Sequence, residues 1–249
     1  MATQESSTPT STGASAPGRR ARRQAEIRGR LLTAGRRVFT EQGIADATIA
    51  QITEAADVGF GTFYLYFPTK EALYRAVVRD GFAELGARLG ALLQTAESTG
   101  EPWRATVAAG VDTFFHFAAG HRDLFSLMFA GQDLGGGGLG GEHGGRLAAW
   151  AAAVVSAAAR AECGEQHPAD EDLIDTLTVA VIATLRRTTF RWMRTHDEGA
   201  EESPVLPIEV IGKQVGRFIA AGLAAAICVE ADADAPGEAQ EEIGSASDA

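Results

Sequence analysis

Eight arginines, Arg19, Arg20, Arg22, Arg23, Arg28, Arg30, Arg36 and Arg37, fall between residues 18 and 45 and face only two acids there, Glu26 and Glu41. A cationic concentration of this kind suits one chemistry above others: it displaces counterions from a phosphate polymer and holds its backbone oxygens. The plainer alternative is a solvated basic helix with no partner. Other groupings of reactive residues do not assemble into sites. Cys163 and His167 lack companion ligands at zinc spacing, so no metal is expected. Gly135, Gly137 and Gly140 match G-x-G-x-x-G, yet no strand precedes them and no β-α-β unit surrounds them, so no nucleotide cofactor is expected. No nucleophile with a neighbouring base and no paired carboxylates stand out, which argues against an enzyme.

The elements that must carry these arginines follow from composition and periodicity. The chain has 249 residues with 22 Lys plus Arg and 33 Asp plus Glu, a net charge of -11. That average hides a segregation. Residues 1–80 hold 11 bases and 8 acids, net +3, and the remainder holds 11 and 25, net -14. Hydrophobic residues make up 45% and aromatic ones only 7%, with 29 glycines and abundant alanine, so the core is expected to consist of close helix contacts between small residues. The fold class expected is all-α. Cys163 and Cys228, without short spacing, suggest buried thiols in a reducing compartment. With no signal-like apolar segment at the N-terminus and no unbroken run of about 18 apolar residues, a soluble, cytoplasmic protein without a membrane partner is expected.

Residues 1–18 read as a disordered Ser/Thr/Pro/Gly arm, and 230–249, with seven acids and no base, as an acidic disordered tail. Between them the period is helical. Ile27, Leu31, Val38 and Phe39 form one stripe, and Gly43 supplies a stop. A second helix should start at Thr48, whose hydroxyl and Gln51 make a T-x-x-Q capping box. The chain then turns at 56–59, where Gly59 tolerates unusual backbone angles, and a short helix runs from about Phe60 to Phe67. Pro68 closes it, Thr69 caps the next helix, and Glu71 sits in its first turn. That helix should reach about Ala96, with others near 102–119, 121–130, 142–160, 169–195 and 206–229 around a glycine loop at 131–141.

An amphipathic helix, a capped short helix, a tight turn and a second short helix form a helix-turn-helix in a three-helix setting. The run from Ala45 to Tyr74, ADATIAQITEAADVGFGTFYLYFPTKEALY, resembles the DNA-binding domain of the TetR (tetracycline-repressor-like) family of bacterial transcriptional regulators. Phe39 and Gly43 match that family's F-x-x-x-G ending of the first helix. The resemblance covers about 25–85, with the helix-turn-helix motif at about 48–67. It implies that Thr48 touches the DNA backbone, that Gly59, Phe60, Gly61 and Thr62 begin the recognition helix, that Tyr64 and Tyr66 reach phosphate or base edges, and that Lys70 binds phosphate. Hydroxyls, phenols and an ammonium are suitable donors to phosphate oxygens, and Gly61 permits close backbone approach. Arg19, Arg20, Arg22 and Arg23 could track the minor groove as a flexible arm.

One departure from the family pattern matters. Between Val58 and Phe67 there is no Arg, Lys, Asn or Gln, so the usual bidentate readers of guanine and adenine are missing. Readout is then expected to rest on apolar contacts of Phe60 or Thr62 with thymine methyls, on phosphate clamping and on DNA shape. The rival is a Phe60 half-buried against its own domain that reads nothing.

For residues 86–229 the resemblance implies an all-helical ligand-binding and dimerisation domain. Trp103, Phe114, Phe117, Phe125, Met128, Trp150 and Phe190 could line a cavity for a small apolar or amphipathic effector, or simply pack as core. Leu177, Val181, Leu185, Val215, Phe218, Ile219 and Leu223, on the last two helices, could form a four-helix homodimer interface. A two-fold dimer would require a near-palindromic double-stranded operator. The leading expectation is thus a homodimeric repressor released from its operator by a small-molecule ligand. The alternative is a helical small-molecule-binding or catalytic protein whose helix-turn-helix is vestigial.

Overall fold

The computed structural model describes residues 18–129, 145–164, 170–197 and 206–233. Of these, 89% are helical and none is in a strand. The arm at 1–17, the glycine loop, His167 and the tail beyond 233 lie outside the described residues. Nine helices occur among them: α1 Arg19–Asp46, α2 Ile49–Ala55, α3 Phe60–Tyr64, α4 Lys70–Thr99, α5 Trp103–Gly120, α6 Arg122–Phe129, α7 Gly145–Cys163, α8 Glu171–Asp197 and α9 Ile208–Ala233. The chain divides into two compact units, Met1–Ala76 and Val77–Ala249, and the division falls inside α4.

In the first unit the apolar stripe of α1 is buried through Leu31, Ala34, Val38 and Phe39. Gly35 lets α1 approach the start of α4, since a Cβ there would lie 2.6 Å from Leu73 Cδ2. Phe39 meets the ring of Tyr74 edge-on at 5.5 Å. Gly43 interrupts α1 as a stop would: its φ of 77° and ψ of 165° are non-helical, and a further short turn carries the element to Asp46. Those angles belong almost to glycine alone, so Gly43→Ala is expected to cost the first unit about 1–3 kcal/mol. A urea titration read by tyrosine absorbance would measure it, because Tyr64, Tyr66 and Tyr74 all lie in this unit.

In the second unit α5 packs on α9, α7, α6 and α8, and α7 on α8 and α9. The core is aromatic at its centre. Phe125 touches Phe114 at 5.4 Å, Phe129 at 4.7 Å and Phe190 at 5.3 Å, and Phe82 meets Phe129 at 5.3 Å. Small residues set the helix spacing. A Cβ on Gly216 of α9 would stand 3.6 Å from Ala108 Cα of α5, and Gly110 of α5 lies directly under the indole of Trp150. The run Ile208–Ile227 of α9 is long and apolar enough to cross a membrane by length and composition. One side of it, through Ile219, Leu223 and Ile227, is buried in the unit, and it carries Glu209, Lys213 and Arg217.

Candidate nucleic-acid interface

The motif begins where a cap was expected. Thr48 has extended backbone angles, its hydroxyl oxygen accepts from Gln51 N at 3.3 Å, and Gln51 Oε1 accepts from Thr48 N at 2.9 Å. The hydroxyl itself donates to the same Oε1 at 2.7 Å, so the Thr48 proton is already engaged within the box. Removing the box by Thr48→Ala is expected to cost about 1 kcal/mol, read as a lower urea midpoint of the first unit. At the far end of α2 the chain turns through Asp57, with φ 49°, the one non-glycine residue at positive φ among the described residues. Gly59 is instead ordinary, at φ -63° and ψ 145°. An aspartate suits that role because its short polar side chain tolerates the left-handed region.

What holds the turn was not visible in the sequence. Arg30 of α1 donates from Nε to Ala56 O at 2.8 Å, and from Nη2 to both Asp57 O and Asp57 Oδ2, the latter at 2.9 Å. It therefore stands at the C-terminal end of α2, where carbonyls lack intrahelical partners and a cation is favoured. Arg30 leaves the group of arginines counted above as phosphate ligands and becomes the clamp of the motif.

α3 stops at Tyr64, and 65–67 continue as a turn, with Phe67 N bonded to Phe63 O at 3.0 Å. Phe63 and Phe67 point into the core as their spacing predicts, and Arg28 lies over the Phe67 ring at 5.7 Å. The outward face is apolar. Phe60 is 55% exposed, Tyr64 49% and Leu65 81%, and Gly61 has nothing within 4 Å of where its Cβ would be. Thr62 and Tyr66 are half-buried. Phe60 is thus not buried against its domain; its ring meets only that of Tyr64 among the described aromatic contacts, edge-on at 5.7 Å.

Two further expectations change. Lys70 Nζ donates to Ala45 O at 2.7 Å and Ala47 O at 2.8 Å, joining the end of α1 to the start of α4. Phosphate contact is therefore left to whatever donor capacity two carbonyls do not use. Arg19, Arg20, Arg22 and Arg23 are exposed but helical, forming the first turn of α1 rather than a flexible arm, because the unbroken run to Gly43 propagates helix from its start.

These features, a clamped helix-turn-helix with an exposed second helix, coincide with a sequence match. Residues 31–77 match the family described as bacterial regulatory proteins, tetR family. The match takes in α2, α3 and the adjoining parts of α1 and α4, 47 of the 249 residues. The HTH-type transcriptional regulator YdgC of Bacillus subtilis is 31% identical over 42% of this chain and 53% of its own length. The HTH-type transcriptional repressor DhaR of a Mycobacterium species is 34% identical over 28% of this chain and 35% of its own. The activator FasR of Mycolicibacterium smegmatis is 32% identical over 40% and 46%. The chain thus spans about half or less of these relatives. Solved structures agree on the fold. FadR of Bacillus halodurans, described as a fatty acid degradation regulator, superposes with a TM-score of 0.60 at 16% identity, over 78% of this chain and 98% of that one. FadR of Bacillus subtilis, solved with stearoyl-CoA, gives a TM-score of 0.60 at 15% identity over the same shares.

In the second unit, the residues suggested as cavity lining are core residues. Trp103, Phe114, Phe117, Phe125, Met128 and Trp150 are buried, and Phe190 is partly so. Three donors in that unit, Trp150 Nε1, Thr178 Oγ1 and Thr189 Oγ1, are buried and meet no hydrogen-bond partner among the described residues. Of the residues suggested for dimerisation, Val181, Leu185, Ile219 and Leu223 are buried in the chain's own core, so they hold α8 and α9 to it rather than face outwards. Leu177 and Val215 are half-buried, and Phe218 is 68% exposed. The outward apolar residues that the periodicity did not separate from these include Val179, Ala183, Ala221 and Ala225.

Proposed function

We propose that the chain is a homodimeric, DNA-binding transcriptional regulator, a repressor whose first unit reads a near-palindromic duplex and whose second unit binds a small effector that releases it. The observation that carries this reading is the turn between α2 and α3, clamped by Arg30 of α1, with the face of α3 that bears Phe60, Tyr64 and Leu65 exposed. A helix so presented fits a major groove about 12 Å wide. The acidic balance of residues 81–249 supports it, since a net -14 there repels the duplex and confines contact to the first unit.

The exposure of Phe218, Ala221 and Ala225 on α9 and of Val179 and Ala183 on α8 supports pairing of two copies through these helices. Phe218→Glu is expected to weaken self-association by about 30-fold or more, as loss of a central aromatic anchor does. Sedimentation equilibrium would show it.

Support for an effector comes from the orphaned donors of the second unit, each costing about 1–3 kcal/mol while unmet. A molecule with an apolar body and a carbonyl or carboxylate would recover that cost at the one donor it reached, since Thr178 and Thr189, eleven residues apart on α8, are about 16 Å from each other along the helix. Stearoyl-CoA, present in the Bacillus subtilis FadR structure, is a reasonable first probe. Release requires that the effector bind the DNA-incompetent state more tightly than the DNA-bound one. Footprinting on the DNA upstream of the chain's own gene, with and without the probe, tests both parts. A symmetric protected site that disappears with probe is expected, and full protection at saturating probe would count against release by that class of molecule.

A further inference from the structure

The apolar face of α3 has no ordinary structural explanation. On a helix of about 3.6 residues per turn, Phe60, Tyr64, Gly61 and Leu65 fall within an arc of about 140°. Phe63 and Phe67, on the adjoining arc, fill the core. The arc that faces away therefore holds two large hydrocarbon side chains, a phenol and a bare backbone, and neither a guanidinium nor an amide. Leu65, at 81% exposure, is the most open of the large apolar residues among those described. Left in water, such a patch is a cost; against a partner it is a surface of recognition. Its surroundings say which partner, because it belongs to a region of net +3 with exposed arginines on α1. Within the major groove, the one hydrocarbon group that base edges offer is the thymine C5-methyl.

Resting on the DNA-binding reading above, we propose that Leu65 and Phe60 are the specificity-determining pair, and that they select duplexes by burying thymine methyl groups rather than by hydrogen bonds to purine edges. The two side chains sit at opposite limits of the arc, so they meet different thymines. Tyr64 lies between them, its ring edge against Phe60 fixing that side chain while its hydroxyl remains available to a phosphate. Gly61 keeps the arc flat between them, since nothing else stands within 4 Å of its Cβ position.

The test uses the full-length protein and duplexes it selects from a random-sequence pool. The best duplex is remade with deoxyuridine for thymidine in the selected half-sites, which removes only the methyl groups. Each contacted methyl is worth roughly fourfold in affinity at the transfer value of one buried carbon, so one in each of two half-sites gives about 15-fold. Leu65→Ala, at a position 81% exposed, should bind the two duplexes more nearly alike, isolating the Leu65 share from any general effect of uracil. Selected sites without thymine, or equal affinity for both duplexes, overturn the proposal while leaving DNA binding intact. If the pool yields no enriched sequence at all, the DNA-binding reading falls and this one with it.

Discussion

Gly110→Ala is expected to lower the stability of the second unit, although alanine normally improves a helix interior by about 1 kcal/mol over glycine. The sign is decided by Trp150. A Cβ at Gly110 would lie 2.0 Å from Cζ2 of that indole, 2.6 Å from Cε2 and 2.9 Å from Cη2, well inside the contact distance of about 3.5 Å between carbons. The indole is 1% exposed and cannot swing into solvent without vacating the core. Overpacking of this kind costs about 1–3 kcal/mol or more and outweighs the gain in propensity. Gly90, with nothing within 4 Å, provides the contrast, and alanine there should stabilise. Trp103, Trp150 and Trp192 all lie in the second unit, so tryptophan emission during urea unfolding reads the effect directly. A Gly110→Ala protein as stable as its parent would mean that α5 and α7 are not in this close contact.

Arg30→Ala should abolish high-affinity DNA binding without changing how binding depends on salt. Arg30 spends its donors on Ala56 O and on Asp57, at the residue of positive φ that sets the angle between α2 and α3. Without it, two carbonyls and a carboxylate lose a charged partner, an interaction worth about 1.5–3 kcal/mol when shielded and less here, since the guanidinium is 39% exposed. The larger consequence is geometric, because a recognition helix free to tilt loses contacts across its whole face. An arginine that binds phosphate behaves differently. Its removal reduces the slope of log affinity against log salt by about one unit, whereas the slope for Arg30→Ala should match the parent's where binding can be measured. Circular dichroism keeps the test fair, as α1 itself should persist. A reduced slope would place Arg30 on the DNA after all.

The contrast between Arg30 and its neighbours shows where sequence reading stops. Helix existence was legible throughout, because the stripes of α1 and α5 and the Thr48 cap depend on spacings within one turn. Which arginine turns inward was not, since Arg30 and Asp57 stand 27 residues apart and nothing local links them. The same holds for Lys70, whose partners Ala45 and Ala47 offer only backbone carbonyls, groups that every residue carries. Gly59 drew attention by its type, yet the positive φ fell to Asp57 because the clamp and the short side chain together make that conformation affordable.

On α8 and α9 the difficulty was of another kind. Both helices are apolar on more than one side: one face enters the chain's own core and another is left exposed. Periodicity then marks apolar positions without saying which side each serves, and Val181 and Phe218 look alike until the fold buries one and exposes the other. In α3 the absence of polar readers was plain from the sequence, but the openness of Leu65 depended on where α3 ends and turns.

The most direct test of the central claim, that the first unit is a DNA-reading head, is fluorescence anisotropy of the full-length protein on duplexes from its own upstream region. Scrambled duplex serves as competitor, and salt is raised from low to physiological concentration. The account predicts tight binding that resists competitor and weakens steeply with salt. Failure of every duplex to bind even at low salt would contradict it.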